Sequence, residues 1–110
     1  MSFCDTERNL LQETLDVLME NNKKPSDVDW VGTSDGKCVS TFEEFAEEAN
    51  FEYDAGYGGR NINSLLVVVG RDFWLERHEY DGAEWWEFKA LPIQKKKSKK
   101  LTKENILSKY

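Results

Sequence analysis

The 110-residue chain contains two cysteines, two prolines and one histidine, and no run approaching the ~20 apolar residues that span a bilayer. Each scarcity removes a class of protein. Cys4 and Cys38 lie far apart with no second pair and no CxxC spacing, so neither a disulfide framework nor a cysteine-rich zinc site is supported, and reduced thiols are expected. Met1-Ser2-Phe3-Cys4-Asp5 lacks the basic-then-apolar order of a leader, so the expected location is cytoplasmic, with no membrane partner. The length excludes two full domains. A hydrophobic content of 39%, with six Phe, four Tyr and four Trp, is enough for one core and argues against wholesale disorder.

The net charge of -6 conceals a division along the chain. Residues 95 to 110 carry seven Lys against the single Glu104, a net of +6, while residues 1 to 94 hold 8 Lys and Arg against 20 Asp and Glu, a net of -12. The expected organisation is therefore an acidic domain over 1–94 followed by a basic, lysine-rich tail over 95–110. An acidic body attracts basic protein surfaces and repels phosphate backbones.

Leu11, Leu15 and Leu18 at helical spacing, beside Leu10, Thr14 and Val17, predict a helix over Asp5 to Asn21, with Ser2 and Asp5 as its N-terminal signal. Asn21 and Asn22 before Lys23, Lys24 and Pro25 end it. Val28-Asp29-Trp30-Val31 and Lys37-Cys38-Val39-Ser40 flank Ser34-Asp35-Gly36 and predict a hairpin. Thr41 with Glu44 is a capping box for a helix over Phe42 to Asn50, which puts Phe42, Phe45, Ala46 and Ala49 on one face and Glu43, Glu44, Glu47 and Glu48 on the other. The three glycines and three aromatics of Phe51 to Arg60 predict a loop. Ser64 to Val69, a near-continuous β-branched run, reads as a central strand covered on both faces. Phe73 to Tyr80 and Ala83 to Leu91 form two further strands around Asp81-Gly82, and Thr102 can start a short helix in the tail. The expected fold is α+β, an antiparallel meander sheet with an aromatic hairpin, covered on one face by two helices.

A two-residue turn at Asp81-Gly82 pairs Tyr80 with Ala83, His78 with Trp85, Arg77 with Trp86, Glu76 with Glu87, Leu75 with Phe88 and Trp74 with Lys89. One face then carries Phe73, Leu75, Trp86, Phe88 and Ala90, with Arg77 as the sole intrusion, and belongs to the core. The other carries Trp74, Glu76, His78, Tyr80, Trp85, Glu87 and Lys89. That face is too polar for a core and too aromatic for an ordinary solvent face, which makes it the candidate contact surface, with the carboxylates Glu43, Glu44, Glu47 and Glu48 as a second acidic element.

Catalytic and metal readings find little support. His78 beside Glu76 could exchange protons, yet no cysteine or serine sits in a nucleophile motif. The acidic helix lacks the loop spacing of a calcium site, so no metal and no cofactor are expected. Gly56-Tyr57-Gly58-Gly59-Arg60 has neither Rossmann spacing nor a Walker lysine.

Asp29-Trp30-Val31-Gly32, Phe51-Glu52-Tyr53-Asp54-Ala55-Gly56-Tyr57-Gly58 and Trp74-Leu75-Glu76-Arg77-His78-Glu79-Tyr80-Asp81-Gly82-Ala83-Glu84-Trp85-Trp86-Glu87-Phe88 resemble a group of small phage and prophage proteins of Gram-positive bacteria, over about residues 27 to 92. The resemblance carries no assigned activity and no catalytic residues. It implies a mobile-element accessory protein, a class whose small acidic members block host proteins, including CRISPR-type and other defence enzymes. The expected function is accordingly non-enzymatic binding of a basic host protein. The alternative is a nucleic-acid accessory module using Lys95, Lys96, Lys97, Lys99 and Lys100 with the aromatic face. Self-association through the same rings is a third reading.

Overall fold

The computed structural model describes residues 7–56, 60–92 and 100–108. Its main body is a five-stranded antiparallel sheet in the order β3-β2-β5-β6-β7, built from β2 (Val28–Thr33), β3 (Val39–Ser40), β5 (Leu66–Gly70), β6 (Phe73–Tyr80) and β7 (Ala83–Ala90). A two-stranded ribbon pairs β1 (Glu7–Asn9) with β4 (Glu52–Asp54). The helices α1 (Leu10–Glu20) and α2 (Phe42–Glu48) cover one face of the large sheet, so the α+β architecture expected from the sequence is the one observed.

Alternation along the strands decides which face is covered. Val31, Val68, Leu75 and Phe88 are successive cross-strand partners and form one row across four strands. The first three of these are almost fully buried, and they meet Leu10, Leu18, Phe42, Phe45 and Trp86 in a single core. Gly32 sits in β2 where the neighbouring backbone comes close, since a Cβ there would lie 2.0 Å from the Cys38 carbonyl oxygen.

Several boundaries differ from expectation. The first helix starts at Leu10 rather than Asp5, because Glu7, Arg8 and Asn9 are drawn into pairing with Asp54, Tyr53 and Glu52. Asn9 then caps the helix, accepting from the Gln12 N–H at 2.9 Å, while the Leu10 and Leu11 N–H groups donate to the Phe51 and Ala49 carbonyls. The proposed Ser2 cap falls outside the described residues. At the other end the expectation holds: Asn22 is left-handed at φ 60° and the Lys23 N–H returns to the Leu18 carbonyl at 2.8 Å.

The segment expected as a loop from Phe51 contains β4, since pairing with β1 overrides the weak local preference; its residues 57–59 lie outside the described set. The central strand starts at Leu66, after Asn63 turns the chain by accepting from the Leu65 and Leu66 N–H groups. It is central, as expected, but only one face is closed: Val68 and Gly70 are buried while Val67 and Val69 are half-exposed. The Thr41–Glu44 capping box of α2 forms as read, with Thr41 accepting from the Glu44 N–H and Glu44 accepting from the Thr41 N–H. A short α3 (Lys103–Ile106), capped by Thr102, is exposed throughout, as are all the described tail residues. Among the described residues no helix is long and apolar enough to cross a membrane.

Candidate binding surface

The turn between β6 and β7 sets everything that follows. Asp81 and Gly82 both have positive φ, 52° and 89°, the combination that a two-residue type I′ turn needs to match strand twist. All six cross-strand pairs read from the sequence are present, from Tyr80 with Ala83 to Trp74 with Lys89. The sheet face opposite the helices therefore displays Trp74, Glu76, His78, Tyr80, Trp85, Glu87 and Lys89. Tyr80 is 76% exposed and the others are half-buried.

The Trp74 and Trp85 indoles are each tied to a carboxylate two residues away on their own strand. Trp74 Nε1 donates to Glu76 Oε1 at 2.7 Å and Trp85 Nε1 donates to Glu87 Oε2 at 3.0 Å. His78 Nε2 lies 2.7 Å from Glu76 Oε2, and its ring stacks on Trp85 with centroids 6.4 Å apart. Lys89 Nζ is 3.7 Å from Glu87 Oε1. The rings are held in fixed orientations by these contacts, which lowers the entropy lost when they dock.

The Trp74 hydrogen bond, aided by that of His78, holds the Glu76 carboxyl below its ordinary 4.5. The Trp85 indole does the same for Glu87. A carboxylate whose folded pKa is depressed adds stability above its unfolded pKa and loses that contribution as pH falls through the folded value. Both groups stay anionic in mild acid. Replacing Trp74 with Phe removes the leading cause, so the Glu76 carboxyl is expected to titrate closer to 4.5 while Glu87 keeps its own position, as read from carboxyl carbon shifts in an NMR pH titration.

Residues beyond the hairpin extend the surface. Trp30 pairs with Val69 and Val69 with Trp74, so Trp30, Val69, Trp74 and Lys89 form one outward row; Gly32, Val67, Glu76 and Glu87 form the next. The alternation Val28-Asp29-Trp30-Val31, with Val31 inward, was the available signal for Trp30. The four carboxylates of α2 do not join this surface. Phe45 packs into the core beneath the inner face, so Glu43, Glu44, Glu47 and Glu48 are exposed on the opposite side of the sheet. Glu44 is occupied by its cap, and Glu48 borders an apolar cleft of about 270 Å³ lined by Leu10, Phe45, Ala49, Phe51, Ile62 and Leu66.

Lys95, Lys96, Lys97 and Lys99 lie outside the described residues, and Lys100 is exposed. Cys38 is exposed and free; Cys4 is outside the described set. Among the described residues no group of three or more His, Cys, Asp or Glu side chains is placed to hold a metal ion.

Arg77, on the inner face, anchors a buried polar network that the sequence did not reveal. Its Nη2 donates to Glu84 Oε1 at 3.1 Å and to the Tyr53 hydroxyl at 2.9 Å, and its Nη1 lies 3.7 Å from Glu13 Oε2. Glu84 also accepts from the Asn61 and Ile62 N–H groups at 2.6 and 3.2 Å, and the Tyr53 hydroxyl donates to Glu13 Oε1. The Arg77 guanidinium lies 4.8 Å from the Trp86 ring centroid and 5.7 Å from that of Tyr53. Burial, with the hydrogen bond to Glu13, pushes the Tyr53 hydroxyl well above its ordinary 10. This network braces the hairpin from beneath and so positions the aromatic face above it.

Comparison with protein-family models, with curated proteins and with solved structures gave no match to this chain.

Proposed function

We propose that this is a non-enzymatic binding protein, a phage or prophage accessory protein, that engages a basic host protein through the aromatic and anionic outer face of its sheet. The observation that carries the reading is the pairing of Trp74 with Glu76 and of Trp85 with Glu87, which sets ionised carboxylates beside part-exposed rings. A lysine or arginine side chain meets both needs of such a surface, stacking on an indole while its charge faces a carboxylate. Phosphate meets neither. A nucleic-acid-binding groove on a host defence protein, CRISPR-type enzymes included, has the required chemistry, and an acidic body of net charge -12 competes with nucleic acid for it.

The test is capture from host lysate on the immobilised full chain, followed by elution with rising salt. A basic protein is expected to be retained at low salt and released as salt screens the contact. Trp85→Ala is expected to weaken retention by roughly tenfold or more, as truncation of a central aromatic does at protein interfaces. Recovery of no basic protein, or undiminished recovery on Trp85→Ala, counts against the proposal. Retention of oligonucleotide that disappears on truncation after Gln94 would favour the nucleic-acid reading instead.

A further inference from the structure

We propose that the outer edge of β7 pairs antiparallel with β7 of a second copy of this chain, in a register centred on Phe88. This uses the backbone edge of the sheet, a different surface from the ring faces through which a basic partner would dock.

The two edges of the large sheet are unlike. The β3 edge is a strand of two residues, too short to template another chain. The β7 edge is eight residues long, with no proline and no break in register against β6. In a hairpin closed by a two-residue turn, Tyr80 and Ala83 exchange hydrogen bonds, so Ala83, Trp85, Glu87 and Lys89 direct their backbone groups toward β6. Glu84, Trp86, Phe88 and Ala90 direct theirs outward. The Glu84 N–H confirms this by donating away from the sheet to the Ala55 carbonyl at 2.7 Å. Trp86, Phe88 and Ala90 have no such backbone partner among the described residues. Among the described residues their donors and acceptors form an open ladder of the kind native proteins cover or blunt.

Charge chooses the occupant and the register. Pairing two copies about Phe88 sets Glu87 opposite Lys89 of the second copy and Lys89 opposite its Glu87. The same register places the 56% exposed Leu91 across from Trp85 of the second copy and lets each Phe88 meet its equivalent. A register centred on Glu87 sets two glutamates face to face, and one centred on Lys89 sets two lysines face to face, both unfavourable. Lys89, which would repel an arbitrary strand bearing lysine, is thus satisfied by a copy of its own strand. The product is a sheet continuous across the two-fold axis, with the two aromatic faces joined into one surface.

Sedimentation of the full chain across a micromolar dilution series tests this. The unmodified chain is expected to form a dimer that dissociates on dilution, and its Trp86, Phe88 and Ala90 amide protons to exchange more slowly as concentration rises. Glu87→Lys and Lys89→Glu each turn both complementary pairs into like-charge pairs, so each alone is expected to weaken dimerisation by roughly tenfold or more. Mixed in equal amounts, the two variants restore every complementary pair and are expected to form a heterodimer. A chain that stays monomeric at every concentration overturns the proposal. So do single variants that dimerise like the unmodified chain, a mixture that fails to recover, or edge amides whose exchange ignores concentration.

Discussion

Arg77→Ala is expected to lower the free energy of unfolding by about 3–5 kcal/mol, the cost of breaking a buried ion pair from one side. The Arg77 and Glu84 side chains are both fully shielded from water, at 3.1 Å from each other. Glu84 cannot move out to solvent when its partner is lost, because its carboxylate is held by the Asn61 and Ile62 N–H groups and its own backbone N–H by Ala55. The unpaired charge stays where it is most costly. Truncation also removes the cation from the Trp86 ring and a donor from the Tyr53 hydroxyl. Urea unfolding measures the loss, and a double-mutant cycle with Glu84→Ala apportions it. The pair of substitutions together is expected to cost less than the sum of each alone, by about 1–3 kcal/mol, since the second relieves the charge that the first strands. Additive losses would mean that the two residues act independently, contrary to the geometry.

That network marks where reading from the sequence stops. The hairpin was legible in detail because Asp81-Gly82 is local chemistry: two adjacent residues that accept positive φ fix a turn, the turn fixes a register, and the register assigns each side chain to a face. The capping box of α2 and the left-handed Asn22 that ends α1 were legible for the same reason. Arg77 could be recognised as a charge on an apolar face, but its partners could not. Glu13, Tyr53 and Glu84 arrive from a helix, a short strand and the opposite arm of the hairpin, and no periodicity links them. The β1–β4 ribbon escaped notice similarly, because its stability comes from pairing residues distant in sequence, in a segment whose glycines favour a loop. The aromatic surface was therefore partly legible: its β6 and β7 residues followed from one turn, whereas Trp30 joins through two intervening strand pairings. The α2 carboxylates show the converse limit, since amphipathic spacing gives the exposed side of a helix but not the side of the sheet on which that helix lies.

The adjacent residues Trp85 and Trp86 carry the sharpest contrast that this register predicts. Trp86→Ala is expected to destabilise the fold by about 3–5 kcal/mol, as removal of a buried indole from a packed core does. Trp86 is 5% exposed, its Nε1 donates to Thr14 Oγ1 at 2.8 Å, and Thr14 is itself fully buried on the face of α1 that meets the sheet. Alanine there leaves a cavity between helix and hairpin, takes a donor from Thr14, and uncovers one side of the Arg77 guanidinium. Trp85→Ala, one residue earlier and on the opposite face, is expected to cost about 1 kcal/mol, since the indole is half-exposed, donates to Glu87 and lies against His78. Paired urea denaturation curves of the two variants check the difference. The same two proteins, compared in the lysate capture, separate fold from function: Trp85→Ala keeps the structure and loses the basic partner, whereas Trp86→Ala loses its partner only to the extent that it unfolds. Equal destabilisation by the two substitutions would mean that the rings do not segregate to opposite faces, and the outward aromatic surface would go with that result.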